Sequence, residues 1–98
     1  MNKVLVIMDF KTLKTSQYDK VMEDLNEKNI LHNSGLISHT ACATPTGGLR
    51  VVDIWESEKQ FKKFGETLIP TLNKHGVKPA EPSILHVHNL VMEQVYST

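Results

Sequence analysis

The stretch LRVVDIWES at residues 49–57 decides the fold of this chain. Its β-branched residues and the chain's single tryptophan, Trp55, predict a strand, and Ser57 opens a Ser-x-x-Gln capping box that predicts the start of a helix. The same succession occurs earlier, where an apolar run at residues 4–8 precedes a helix predicted to begin near Ser16. The chain is therefore predicted to contain two strand–helix units, each followed by a further strand.

Turn-forming residues separate the remaining strands. The run TPTGG at residues 44–48 predicts a tight hairpin between a second strand, residues 36–43, and the third, since glycine tolerates the positive φ angles of such turns. A fourth strand is predicted over residues 84–92. Pro70 falls inside the second helix, where it removes a hydrogen bond, and predicts a kink or break near residues 68–69.

The order β-α-β-β-α-β predicts an α+β, ferredoxin-like fold for a single domain over residues 1–98. In this fold both helices cover one face of a four-stranded antiparallel sheet. Successive residues of a strand point to opposite faces of the sheet. The first and third strands nevertheless carry apolar residues at successive positions, such as Leu5 beside Val6 and Val51 beside Val52, and so on both faces. Because two helices cover only one face, we expect a second copy of the chain to cover the other.

Composition excludes several classes of function. Eleven basic residues balance eleven acidic ones, so no broad positive field would attract nucleic acid or an anionic membrane. The apolar runs fall far short of the roughly 20 residues that a membrane helix requires. Cys42 has no second cysteine to pair with and lies in a predicted strand, so we expect a buried structural thiol. With no signal-like leader, these features predict a cytoplasmic protein.

The sequence resembles the dimeric α/β-barrel superfamily, specifically its antibiotic-biosynthesis-monooxygenase-like branch. The resemblance covers nearly the whole chain and depends on GLISH at residues 35–39, GGLRVVDIWES at residues 47–57, the Phe61-x-x-Phe64 pair, and VHN at residues 87–89. It implies a homodimer in which two open sheet faces close into a barrel. It also implies a pocket between sheet and helices that takes a small apolar or aromatic ligand, and an activity that needs no cofactor and no metal.

The candidate catalytic residues are His39 as a base and His88 as an orienting group, because imidazole exchanges protons near neutral pH. The candidate substrate-binding walls are four apolar residues: Trp55, Phe61, Phe64 and Met8. A purely structural role explains the aromatic residues equally well, since their spacing alone places them in the core. Whether the loop at residues 44–48 has an odd or an even length decides if His39 shares a sheet face with Trp55 or with Ile54, and the sequence leaves this open.

Three functions therefore remain in view. The first is a cofactor-independent monooxygenase that acts on a small aromatic or quinol-like molecule. The second is a non-catalytic ligand-binding or stress-associated barrel. The third, haem binding and degradation, requires His75 to face the pocket, although the haem-degrading members carry a tryptophan where this chain has Phe64 and an asparagine where it has Met8 or Asp9. A metal site is a weaker alternative, formed by three histidines: His39, His86 and His88.

Overall fold

The computed structural model describes residues 2–93 and contains the predicted elements in the predicted order. The strands form one antiparallel sheet in the order β2-β3-β1-β4. The α+β, ferredoxin-like fold is thereby confirmed. The elements are β1 (Val4–Phe10), α1 (Thr15–Glu27), β2 (Leu36–Ala43), β3 (Leu49–Trp55), α2 (Glu58–Lys74) and β4 (Ser83–His86).

Both helices cover the same face of the sheet. Alternate residues of β1 and β3 are buried against them in one cluster with residues from each helix, among them Val21 of α1 and Phe61 of α2. The intervening residues of β1 and β3 face away from the helices; the apolar ones are half-buried, whereas Asp9 and Arg50 are exposed. Leu85 of β4 is 56% exposed on that second face. The apolar residues of the second face are Leu5, Ile7, Val52, Ile54 and Leu85. Within residues 2–93, neither helix has the length and hydropathy needed to cross a bilayer.

The hairpin between β2 and β3 depends on two adjacent glycines, as predicted. Gly47 and Gly48 have φ angles of 94° and 79°, which other residues adopt only with strain. A Cβ atom at Gly48 would lie 2.3 Å from the carbonyl oxygen of Phe10, so only glycine fits against the end of β1. The hairpin is closed by a hydrogen bond of 3.2 Å from the Thr44 amide to the Gly48 carbonyl.

A β-bulge in β2 determines which residues of that strand face the helices. The pairing with β3 shifts between Leu36 and Ser38, so Ile37 is an extra residue in β2. Leu36 faces the helices, and strict alternation would then turn His39 to the opposite side. Because of the extra residue, His39 instead pairs with Asp53 on the helix-covered face.

The first helix begins earlier than predicted. Lys14, rather than Ser16, is its N-cap residue, and the Gln17 side chain accepts a hydrogen bond of 3.0 Å from the Lys14 amide. A glutamine at the third helical position thus satisfies the cap backbone, which is the reciprocal half of a capping box.

The second helix begins as predicted but does not break at its proline. The Ser57 hydroxyl oxygen accepts a hydrogen bond of 3.2 Å from the Gln60 amide, which confirms the capping box. The predicted break near residues 68–69 does not occur, because α2 continues past Pro70 to Lys74. Pro70 and Glu66 both lie on the exposed side of the helix, where water can reach the carbonyl that the proline leaves unpaired.

The fourth strand is shorter than predicted. Its only neighbour is β1, and His86 pairs with Val4, the first residue of that strand. One further hydrogen bond of 2.9 Å joins the Val87 amide to the Lys3 carbonyl. The strand therefore ends at His86 rather than continuing to Met92, because β1 offers no further partner.

Candidate active site

A small cavity lies between the helix-covered face of the sheet and both helices. Its walls are almost entirely apolar and include Met8, Val51 and Leu72, and it holds about 50 Å³ of space for water-sized molecules. Only His39, Asp53 and the hydroxyl of Tyr18 bring strongly polar groups to this lining. A mostly apolar cavity with a few convergent polar groups is the usual form of a small-molecule site.

The two central polar residues lie on neighbouring strands. The register of β2 against β3 places His39 directly opposite Asp53, and the His39 Nδ1 atom lies 2.6 Å from Asp53 Oδ1. The Asp53 side chain is 3% exposed, whereas that of His39 is 23% exposed. A buried carboxylate that holds one nitrogen of a less buried imidazole fixes both the orientation and the tautomer of the ring.

The second oxygen of Asp53 is also engaged. The Trp55 Nε1–H group donates a hydrogen bond of 3.3 Å to Asp53 Oδ2, and Trp55 lies on the same strand two residues further on. The carboxylate is thus held from both sides, by Trp55 and by His39. Among the described residues, every buried side-chain nitrogen or oxygen has a hydrogen-bond partner, so the polar network costs little to bury.

The other nitrogen of His39 contacts a tyrosine from α1. The Tyr18 hydroxyl lies 2.5 Å from His39 Nε2, and the two rings are nearly parallel, with an interplanar angle of 4° and centroids 5.9 Å apart. Burial, followed by the negative charges of Asp53 and Asp19, raises the pKa of Tyr18 above its usual value. Tyr18 is therefore a neutral phenol at neutral pH, and its hydroxyl donates a hydrogen bond to Nε2.

This arrangement makes His39 a candidate general base. The Nδ1–H group donates to Asp53, which leaves the lone pair of Nε2 as the proton-accepting site inside the cavity. A carboxylate behind the imidazole also stabilises the imidazolium that forms when Nε2 takes a proton. The apolar walls strengthen these electrostatic interactions because they exclude water.

The structure places most of the sequence-predicted wall residues at the cavity. Met8, Trp55 and Phe64 line it, and the Phe64 ring lies 5.0 Å from that of Trp55. Phe61 does not line this cavity but packs edge-on behind Trp55, with centroids 5.9 Å apart, and faces a separate groove beside α2. The face of His39, which the sequence left open, is the one shared with Trp55.

The predicted partnership of His39 with His88 is not seen. The prediction assumed a fourth strand long enough to carry His88, but β4 ends at His86 and His88 is exposed on the segment that follows. His88 is not among the residues that line the cavity. The group that contacts His39 Nδ1 is Asp53.

Sequence reasoning missed both Asp53 and Tyr18 as site residues. Asp53 lies between Val51 and Trp55 at every second position of β3 and shares their inward-facing side. The available signal was therefore a carboxylate at an inward strand position. Tyr18 falls on the apolar face of α1 together with Val21, so its placement toward the sheet was predictable. Its contact with His39 depends on the bulge in β2, which the sequence does not reveal.

The predicted burial of Cys42 is wrong. Cys42 is exposed and pairs with Arg50 on the sheet face that the helices leave open. The prediction took the position of Cys42 within a strand as a sign of burial. In the sheet order, β2 is instead an edge strand.

The histidine that haem binding would require lies elsewhere. His75 Nε2 is 2.7 Å from Asp24 Oδ2, a contact between the residue that follows α2 and a residue of α1, and His75 does not line the cavity. The hydrogen bond from His75, followed by that from Lys74, lowers the pKa of Asp24. Residues 2–93 contain no cluster of three His, Cys, Asp or Glu side chains suited to a metal ion, so the weaker alternative, a site formed by His39, His86 and His88, is not found there.

No protein-family model matches this sequence, and no curated protein matches it. Solved structures do match its fold. A variant of SnoaB, a cofactor-independent oxygenase from Streptomyces nogalater, has a TM-score of 0.67 and 11% identity over 95% of this chain and 100% of that one. The monooxygenase from the gene ActVA-Orf6 of Streptomyces coelicolor, solved with nanaomycin D, has a TM-score of 0.61 and 18% identity over 95% and 93% of the two chains.

A third match is a Caulobacter crescentus protein assigned to the antibiotic biosynthesis monooxygenases, with a TM-score of 0.66 and 16% identity over 90% of this chain and 92% of that one. At these identities the comparison establishes the fold rather than the activity. The chain has the ferredoxin-like fold of the antibiotic-biosynthesis-monooxygenase-like proteins, so the resemblance noted in the sequence is confirmed at the level of fold.

Proposed function

We propose that this protein is a cofactor-independent monooxygenase that oxidises a small, electron-rich aromatic or quinol-like molecule, with His39 as its general base. The observation that carries the proposal is the position of His39: Asp53 holds Nδ1 at 2.6 Å, Nε2 contacts the Tyr18 hydroxyl, and both His39 and Tyr18 line an apolar cavity. One similar structure belongs to a protein named as a cofactor-independent oxygenase and another to a protein named as a monooxygenase, which supports the same reaction class.

The reaction begins with proton transfer to His39. Nε2 takes a proton from a substrate hydroxyl or from an acidic ring carbon, and Asp53 stabilises the resulting imidazolium. The substrate anion then passes an electron to O₂, and the radical pair combines to form a carbon–oxygen bond. His39 returns its proton to the peroxide, which loses water. For a ring CH₂ group the sum is CH₂ + O₂ → C=O + H₂O, with the substrate as the only reductant.

The walls supply what such a reaction needs besides a base. Trp55 and Phe64 present flat aromatic surfaces, which favour stacking with an aromatic substrate. The apolar lining also excludes water that would otherwise compete for the proton on His39. No step of this scheme calls for a group that the chain does not provide.

Oxygen uptake tests the proposal. With a panel of dihydroxy-aromatic compounds, we expect uptake by the wild-type protein and a fall of about 10²- to 10⁴-fold in His39→Gln, the usual contribution of a general base. Glutamine retains a donor for Asp53 but cannot accept a proton at neutral pH. The matched control is His32→Gln, at an exposed histidine outside the cavity, which should leave uptake unchanged. Equal uptake in wild type and His39→Gln would remove His39 as the base.

A second candidate function is ligand binding without turnover. It is favoured by the occupation of Nε2 by the Tyr18 hydroxyl, since this contact engages the proton-accepting atom of His39. The same panel separates the two candidates. Saturable binding with no oxygen uptake under any ligand would select the binding function.

The site belongs to a protomer that we propose to be half of a dimer. The five apolar residues on the second sheet face, from Leu5 to Leu85, form a surface that a second copy of the chain would cover.

Sedimentation at micromolar concentration should return twice the chain mass of 11.1 kDa. Leu85→Asp should shift the equilibrium toward monomer, because it introduces a charge into the apolar interface. The control is Ile69→Asp, at a residue on α2 that is 46% exposed. A wild-type monomer would contradict the dimer.

A further inference from the structure

Tyr18 occupies the one proton-accepting atom of the proposed base. Of the two ring nitrogens of His39, Nδ1 is engaged by Asp53 at 2.6 Å and Nε2 by the Tyr18 hydroxyl at 2.5 Å. In a neutral imidazole only one nitrogen carries a lone pair, and that lone pair accepts one hydrogen bond. A ligand hydroxyl that gives its proton to His39 must therefore first replace the hydroxyl of Tyr18.

The space in the cavity leads to the same requirement. About 50 Å³ is available, whereas a cavity of about 150 Å³ is known to hold a benzene ring. The Tyr18 ring is itself part of the wall and is half-buried, near the beginning of α1. Rotation of this side chain toward solvent would clear both the volume that its ring fills and the Nε2 atom behind it.

The chemistry of Tyr18 is that of an unreactive substitute for a phenolic ligand. Its aromatic ring lies almost parallel to the imidazole, and its hydroxyl points at Nε2. Because burial raises the pKa of Tyr18, its proton stays on the phenol oxygen. A more acidic phenol in the same position would pass its proton to His39.

We propose that Tyr18 is a specificity-determining residue: it closes the site by placing its own phenol on His39, and the ligands that open the site are phenols or quinols whose hydroxyl replaces the Tyr18 hydroxyl on Nε2. This inference rests on the proposed function, in which His39 is the proton acceptor. An aromatic molecule without a hydroxyl is disfavoured, because it would displace Tyr18 and leave Nε2 without a donor.

The test compares p-nitrophenol with nitrobenzene, which has the same ring and nitro group but no hydroxyl. Binding is measured by calorimetry on the full-length wild-type protein and on Tyr18→Phe, which keeps the ring and removes the competing hydroxyl. The net value of one hydrogen bond predicts a dissociation constant for p-nitrophenol about three- to tenfold lower in Tyr18→Phe. In both proteins p-nitrophenol should bind at least about threefold more tightly than nitrobenzene.

A spectroscopic signature separates this role from a structural one. The ¹⁵N chemical shift of His39 Nε2 should move in Tyr18→Phe toward that of an unbonded nitrogen, and p-nitrophenol should produce a further change that nitrobenzene does not. This measurement on the wild-type protein alone, with the two ligands, remains decisive if Tyr18→Phe folds poorly. In His39→Gln, which lacks the imidazole acceptor, the gain in affinity from Tyr18→Phe should disappear.

Binding and turnover give independent answers. Tighter p-nitrophenol binding in Tyr18→Phe supports the inference even if no oxygen uptake is found, in which case only the oxygenase function fails. Unchanged or weaker binding in Tyr18→Phe, equal affinity for the two ligands, or no saturable binding to either protein would overturn the inference. Uptake that depends on His39 would leave the proposed function standing in each of those cases.

Discussion

Replacing Asp53 with asparagine is expected to lower oxygen uptake on the order of 10³- to 10⁴-fold, the magnitude of the same change in Ser-His-Asp enzymes. The carboxylate accepts the Nδ1–H bond of His39 at 2.6 Å, and an amide group in its place can instead donate to Nδ1. The proton of the neutral imidazole then moves to Nε2. A nitrogen that already carries a proton cannot act as the base, so the ring would be present but in the wrong tautomer.

The stability of Asp53→Asn gives a second readout. Asparagine has nearly the same shape but carries no charge, so the charge-assisted hydrogen bonds of the carboxylate to His39 and Trp55 are replaced by weaker neutral ones, which costs about 1–3 kcal/mol. Thermal unfolding should therefore show a destabilised but folded protein. Asp19→Asn, at an exposed residue of α1, is the matched control and should change neither quantity appreciably. Wild-type uptake in Asp53→Asn would show that the carboxylate does not orient His39.

Much of the fold is predictable because local patterns determine it. The Ser57 capping box, the two glycines of the hairpin and the β-branched run from Leu49 to Trp55 act over a few residues, and each gives the element that it predicts. The end of β4 is not local, because it depends on where β1 begins and therefore on a register between distant segments. The continuity of α2 through Pro70 depends on which side of the helix faces solvent.

The site is less predictable than the fold for a related reason. His39 is a visible candidate by residue type, but its face depends on the bulge at Ile37, which changes the parity of β2 without any glycine or proline to mark it. Asp53 and Tyr18 become partners only when β2, β3 and α1 meet. The prediction of His88 depends on a fourth strand that reaches Met92, whereas β4 ends at His86. Residue type alone thus makes His39 a candidate, whereas the groups that contact it depend on the register.

The site and the core also share one residue, which gives the second large expected effect. Trp55 is fully buried, packs against Phe61 and Phe64, and donates its indole N–H to Asp53. Trp55→Ala should cost about 3–5 kcal/mol in the free energy of unfolding, because it leaves a large cavity. Small domains have about 5–15 kcal/mol in total, so the variant would lose a large part of its stability.

Trp55→Phe separates the two roles of this residue. Phenylalanine keeps an aromatic surface against Phe64 but has no N–H group, so Asp53 Oδ2 loses its donor and the expected cost is about 1–3 kcal/mol. Urea unfolding followed by circular dichroism measures both variants, since the only tryptophan that fluorescence would report is the one replaced.

Ile69→Ala, at an exposed apolar residue on α2, controls for the loss of apolar surface and should cost less than about 1 kcal/mol. If Trp55→Ala cost no more than Ile69→Ala, Trp55 would not hold the core. If Trp55→Phe were as stable as wild type, its indole N–H would contribute nothing to holding the carboxylate behind His39.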